Sequence, residues 1–188
     1  CLALQRFAEN WRLPVGCGFR FQDTFDNRHP LYAGDVGIGI NPKLAARIRD
    51  ADLVLAVGVR LGEMTTGGYT LLQPPRPTQK LIHVHAGAEE LGRVYAADLL
   101  LQASMACAAK ALESLAAPLE LPWAAHAAEA HADYLANLEA PAVAPDLQPE
   151  AEVVSPAAVV VVSPAAVVVV AAGAVVVVAG GAVVVVGG

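Results

Sequence analysis

The chain has 188 residues, a formal net charge of −6 and 56% hydrophobic residues. That length suffices for one domain with a core of its own, or for one domain and a tail. The acidic balance, with lysines and arginines scattered singly, excludes the basic stripe of a nucleic-acid surface. Three cysteines, Cys1, Cys17 and Cys107, cannot all pair, and none lies in a CxxC or Cys/His cluster. They read as reduced thiols of a cytoplasmic protein. No basic stretch leads into an apolar one at the start, as a signal peptide would require. The opening at Cys1, directly in helical pattern, reads as a cut within a longer protein.

In chain order, residues 2–12 are amphipathic and predict a helix that ends before Pro14. "PVGCG" is a short strand, and residues 18–33 form a long polar loop. "GDVGIG" at 34–39 follows as a glycine loop. Asn41 then caps a helix with Pro42 at its first position, a favoured pairing. "LVLAVG" at 53–58 is a continuous apolar run, as a strand covered on both faces should be. A loop rich in Gly, Thr and Pro runs from 59 to 79, and "KLIHVHA" at 80–86 is the next strand. "AEELGRVY" reads as a short helix, "ADLLLQA" as a strand, and "MACAAKALESLA" and residues 122–139 as helices. Strand–helix alternation with buried strands predicts an α/β fold: a Rossmann-like parallel sheet with flanking helices.

After Glu152 the composition changes. No charged residue remains, and "SPAAVVVV" at 155–162 repeats at 163–170, followed by "AAGAVVVV" and "AGGAVVVV". So short a repeat carries too little information to specify a packed core. Residues 1–140 are therefore expected to form the domain, and 141–188 a low-complexity Val/Ala/Gly tail outside it. Gly and Pro interruptions, the weak helix propensity of Val and the lack of basic flanks argue against a membrane segment.

Parallel sheets bind ligands at the carboxyl ends of their strands, and three loops here leave such ends. Gly34 and Gly37 lie in the first, where glycines let a backbone approach a phosphate next to a helix N-terminus. A tight entry turn is the equally plain structural reading of those glycines. Arg60 leaves the second, where a diphosphate could lie; its structural alternative is a surface pair with Glu63. His83 and His85 share one face of the third strand. A core or cofactor-facing pair suits them better than a metal site, because partners at metal spacing are few. There is no GxSxG, no P-loop and no nucleophile–base pair.

From about Leu2 to Leu115 the sequence resembles the central domain of thiamine-diphosphate-dependent enzymes of the acetolactate synthase type. The resemblance lies in "HPLYAGDVG", "ADLVLAVGVR" and "IHVHAGAEELG", in that order. It implies a three-domain, homo-oligomeric enzyme, with this chain as a piece of it. An N-terminal, pyrimidine-binding domain would supply the glutamate that activates the thiazolium ring. A C-terminal domain would hold the diphosphate through Mg²⁺. The activity implied is decarboxylation of a 2-oxo acid such as pyruvate and transfer to an acceptor. The central domain binds FAD in some members and an adenine nucleotide or nothing in others. On that resemblance Gly34, Gly37, Arg60, His83 and His85 are the cofactor-facing positions, with no catalytic residue and no metal ligand in this chain. Two features depart from the FAD-binding pattern: "RLGEMT" follows Arg60, and no carboxylate appears after "HVHAG" before Glu89. A non-catalytic scaffold domain and an unrelated Rossmann-like nucleotide-binding protein are the alternatives.

Overall fold

Leu4, Phe7, Ala8 and Trp11 recur at helical spacing. In the computed structural model, which describes residues 2–139, 165–171 and 174–176, they are the buried face of α1 (Leu2–Trp11). Arg6 pairs with Glu113 and ties α1 to α3 (Met105–Glu113). α2 (Pro42–Arg49) starts as expected, with the Asn41 side chain accepting from the Lys43 N–H at 3.0 Å and Pro42 in the first turn. α4 (Ala124–Leu138) packs on the second strand and on α2.

The strands are β1 (Val15–Gly18), β2 (Tyr32–Val36), β3 (Ala51–Val57), β4 (Lys80–His85), β5 (Leu99–Gln102), β6 (Ala165–Ala171) and β7 (Ala174–Val176). The sheet order is β2-β1-β6-β3-β4-β5, with every neighbouring pair on that path parallel. β1 is buried throughout, and β3 at every position but Asp52, the signature of strands covered on both faces. The α/β fold with a parallel sheet and flanking helices is therefore the one the alternation predicts.

Three elements differ from expectation. The polar loop and glycine loop conceal β2, because Gly and Asp have poor strand propensity; burial against α4 and pairing with β1 make it a strand. "AEELGRVY" is not a helix. It makes one 3-10 turn at Ala88–Glu90, and Gly92 at φ +73° lies two residues beyond it.

The largest difference lies in the low-complexity segment. β6 comes from residues expected outside the domain, yet it runs between β1 and β3, with Val168 opposite Val15 on one side and Leu55 on the other. Among the described residues β1 is paired with β2 and β6, and β3 with β4 and β6. The two buried strands thus stand two strand spacings apart, about 4.8 Å each. An uncharged valine run suits an interval covered on both faces. β7 runs back antiparallel along β6. The pairs are Val169 with Val176, Val170 with Val175 and Ala171 with Ala174. The rest of 141–188 lies outside the described residues.

Candidate nucleotide-binding site

β3 and β4 run in register, Val57 opposite Val84, so both chains leave the sheet at one place. Gly58, at φ +70°, turns the chain out of β3 and donates its N–H to the Val84 carbonyl. The turn starts the loop that leads to Met64, Thr65 and Tyr69, which folds over the strand ends. Beneath it is a cavity of about 530 Å³, within the usual range of roughly 300–1,000 Å³ for small-molecule sites. Phe19, Met64, Tyr69 and Tyr95 supply its apolar wall.

Arg60, His83 and His85 all line this cavity. His83 is 3% exposed and its Nε2 lies 2.9 Å from the Val59 carbonyl. A carbonyl only accepts, so Nε2 carries the proton and the ring ties β4 to the chain leaving β3. Burial pushes its pKa below the ordinary histidine value, so the ring is neutral at pH 7. His85 is half-buried, and its Nδ1 accepts from the Gly87 N–H at 3.0 Å. His83 is thus a structural strut between β4 and the chain leaving β3.

Arg60 does not pair with Glu63. Its Nη2 lies 3.0 Å from Glu90 Oε1, and the Arg93 Nη1 lies 3.1 Å from the same oxygen. The Glu90 side chain is 12% exposed, against 67% for Arg60 and 58% for Arg93. Burial works to raise the Glu90 pKa, but the Arg60 hydrogen bond and the charges of both arginines outweigh it and hold the carboxyl below its usual value. The carboxylate that faces the cavity here is Glu90, and it is engaged by both arginines. The acidic pair Glu89–Glu90 was the available signal, but sequence alone does not tell which of the two faces inward.

Gly34 and Gly37 stand elsewhere. Gly34, at φ +118°, holds a backbone conformation that side chains rarely adopt, while a Cβ there would meet the Tyr134 ring and Leu44 at ordinary contact, 3.4 and 3.5 Å. Gly37, at φ +135°, approaches the Met64 backbone so closely that a Cβ would lie 2.8 Å from its carbonyl oxygen. It supports the cavity's covering loop without lining the cavity.

The cavity has the size and lining of a binding site. Two guanidiniums suit a phosphate-bearing ligand, and the aromatic and apolar wall suits a planar ring. Among the described residues, no three His, Cys, Asp or Glu side chains gather as a metal site, and no helix is long and apolar enough to cross a membrane.

The sequence profile of the thiamine pyrophosphate enzyme central domain matches residues 2–115. A sulfoacetaldehyde acetyltransferase from Roseovarius nubinhibens is 36% identical over 91 residues, covering 48% of this chain and 15% of that protein. Another from Alcaligenes xylosoxydans is 31% identical over 90 residues, again 48% and 15%. A 3D-(3,5/4)-trihydroxycyclohexane-1,2-dione hydrolase from Clostridium perfringens is 37% identical over 75 residues, 39% of this chain and 11% of that protein. The match therefore spans no more than 15% of the length of any of these three relatives. With the profile aligned from α1 past the end of α3, the chain belongs to the family of thiamine pyrophosphate enzyme central domains.

Proposed function

We propose that this chain is the central domain of a longer, homo-oligomeric enzyme that uses thiamine diphosphate and Mg²⁺ to act at the carbonyl carbon of a small, polar substrate. The family match supports this reading. So do the relatives' names, which give an aldehyde in one case and a cyclic 1,2-dione in the other. Those names widen the acetolactate-type expectation of a 2-oxo acid such as pyruvate to carbonyl substrates more generally. When bound, thiamine diphosphate supplies a carbanion that attacks such a carbon.

The residues of this chain do not fit that cofactor. No acidic cluster suited to the Mg²⁺–diphosphate pair is present among the described residues. Neighbouring pyrimidine-binding and diphosphate-binding domains hold it, and no catalytic step falls to this chain. What these residues do is hold a scaffold and offer a cavity. The cavity suits an adenine nucleotide: the apolar wall takes the ring, and Arg60 and Arg93 face the phosphates. FAD is the larger candidate for the same place.

The carrying observation is the family match over a sheet whose strand ends open into a ligand-sized cavity. The longer protein, expressed with its flanking coding sequence, is expected to consume pyruvate or sulfoacetaldehyde only with thiamine diphosphate and Mg²⁺ present. The isolated chain should consume neither. Turnover by the longer protein that survives complete removal of both cofactors counts against the proposal.

A further inference from the structure

Glu90 lies where a bound anion would lie. Its Oε1 receives Arg60 from one side and Arg93 from the other, at 3.0 and 3.1 Å. Two guanidiniums converging on one oxygen is the arrangement that phosphate oxygens receive from arginine pairs. Here the anion is the covered member, while both arginines keep more than half of their side chains in solvent. All three line the same cavity. Glu89, next in the chain, is exposed and is in no ion pair among the described residues, so the fork selects one carboxylate of the two.

Resting on the reading of the cavity as a nucleotide site, we propose that Glu90 is an internal anion that closes the Arg60–Arg93 fork to phosphate-bearing ligands until its carboxylate is displaced. A phosphate entering the cavity meets two guanidiniums already neutralised in part, and a carboxylate of like charge between them. Like charges at hydrogen-bond distance repel strongly where water is partly excluded. The ligand's phosphate therefore competes with Glu90 for the same donors. The element that carries Glu90 is suited to yield. It is a single 3-10 turn between Gly87 and Gly92, with Ala88, Glu89 and Gly92 exposed. The residue before it, Gly87, donates to His85 Nδ1, and Gln102 donates to the Ala86 carbonyl at 3.3 Å. Displacing the Glu90 side chain breaks its ion pairs with two exposed arginines.

The test is calorimetric titration of the full chain with inorganic pyrophosphate and, separately, with adenosine, thermal melting of each variant confirming that the fold is kept. Glu90→Gln is expected to bind pyrophosphate at least about tenfold more tightly than the wild type. Glu89→Gln, the same change of charge one residue away, is expected to match the wild type. Adding Arg60→Ala to Glu90→Gln should remove the gain. A Glu90→Gln chain that binds pyrophosphate no better than Glu89→Gln overturns the proposal. Adenosine separates the two readings. Equal adenosine binding by wild type and Glu90→Gln, with no pyrophosphate gain, overturns the anion role and leaves the nucleotide site standing. A pyrophosphate gain with no adenosine binding sustains the anion role and removes the nucleotide reading.

Discussion

The two sides of the sheet end differently. On the β1–β2 side α4 packs against β2, near the start of that strand. The Trp123 Nε1–H donates to the Trp11 carbonyl at 2.7 Å, His131 Nδ1 lies 2.8 Å from the Tyr32 carbonyl, and Tyr134 meets Tyr32 edge-on. Lys43 and Arg47 of α2 converge on Asp133 of α4, at 2.6 and 2.7 Å. On the β3–β4 side the carboxyl ends of the strands open into the cavity. A loop folds over them, and two arginines are left largely in solvent. Both sides carry glycines and charges of the kind that suggest a phosphate site. What separates them is what each does with that surface. On the first side Gly37 reaches across to support the loop at Met64, and the second side keeps a cavity.

The two sides meet through β6, and this join gives the largest expected effect. Deleting residues 150–188 removes the strand between β1 and β3, so the sheet divides into a pair and a trio. Urea unfolding is expected to lose its single cooperative transition, and the amides of Val15–Cys17 and Val54–Val57 to lose protection from hydrogen exchange. An unchanged midpoint and unchanged protection would restore the expectation of a tail independent of the domain.

Next in size, the side packed by α4 can be opened alone. Trp123 is 5% exposed, and Trp123→Ala removes both a large buried ring and the bond to the Trp11 carbonyl. A loss of about 3–5 kcal/mol in urea denaturation is expected. Pyrophosphate binding on the far side of the sheet should be unaffected. A change in that binding equal to the change seen at Glu90 would show that the two sides are not separate.

The smallest effect belongs to the strut under the cavity. Burial depresses the pKa of His83 in the folded chain. The unfolded chain takes up a proton near pH 6.5 that the folded chain does not. His83 therefore leaves stability intact above about pH 6.5 and lowers it as pH falls below that value, by at most about 1.4 kcal/mol per pH unit. His83→Gln should flatten the dependence of melting temperature on pH between about 6.5 and 5 relative to wild type. Parallel curves for the two chains would show that the imidazole does not carry it.

Cys17 and Cys107 show how much environment adds to composition. Both read as free thiols, and both are unpaired. Burial pushes the Cys17 thiol up to about 11, so it behaves as a small core residue, while Cys107 is exposed on α3. Nothing in their local sequences separates them.

Local chemistry was enough to determine much of this protein. The Asn41–Pro42 start of α2, the apolar runs of β3 and β4 and the buried stripe of α1 follow from capping, alternation and helical period, which act within a few residues. So does the bringing together of Arg60, His83 and His85, because parallel neighbouring strands must end side by side. Three things were decided only in the tertiary structure. β2 is a strand despite its glycine and aspartate because β1 and α4 bury it. Glu90, and not Glu63, meets Arg60 because a loop and a 3-10 turn converge from positions 30 residues apart in the chain. A valine repeat with no pattern of its own pairs between β1 and β3, because nothing within the repeat specifies which strands it joins. In each case the deciding energy is desolvation against a partner distant in sequence, and no local pattern records it.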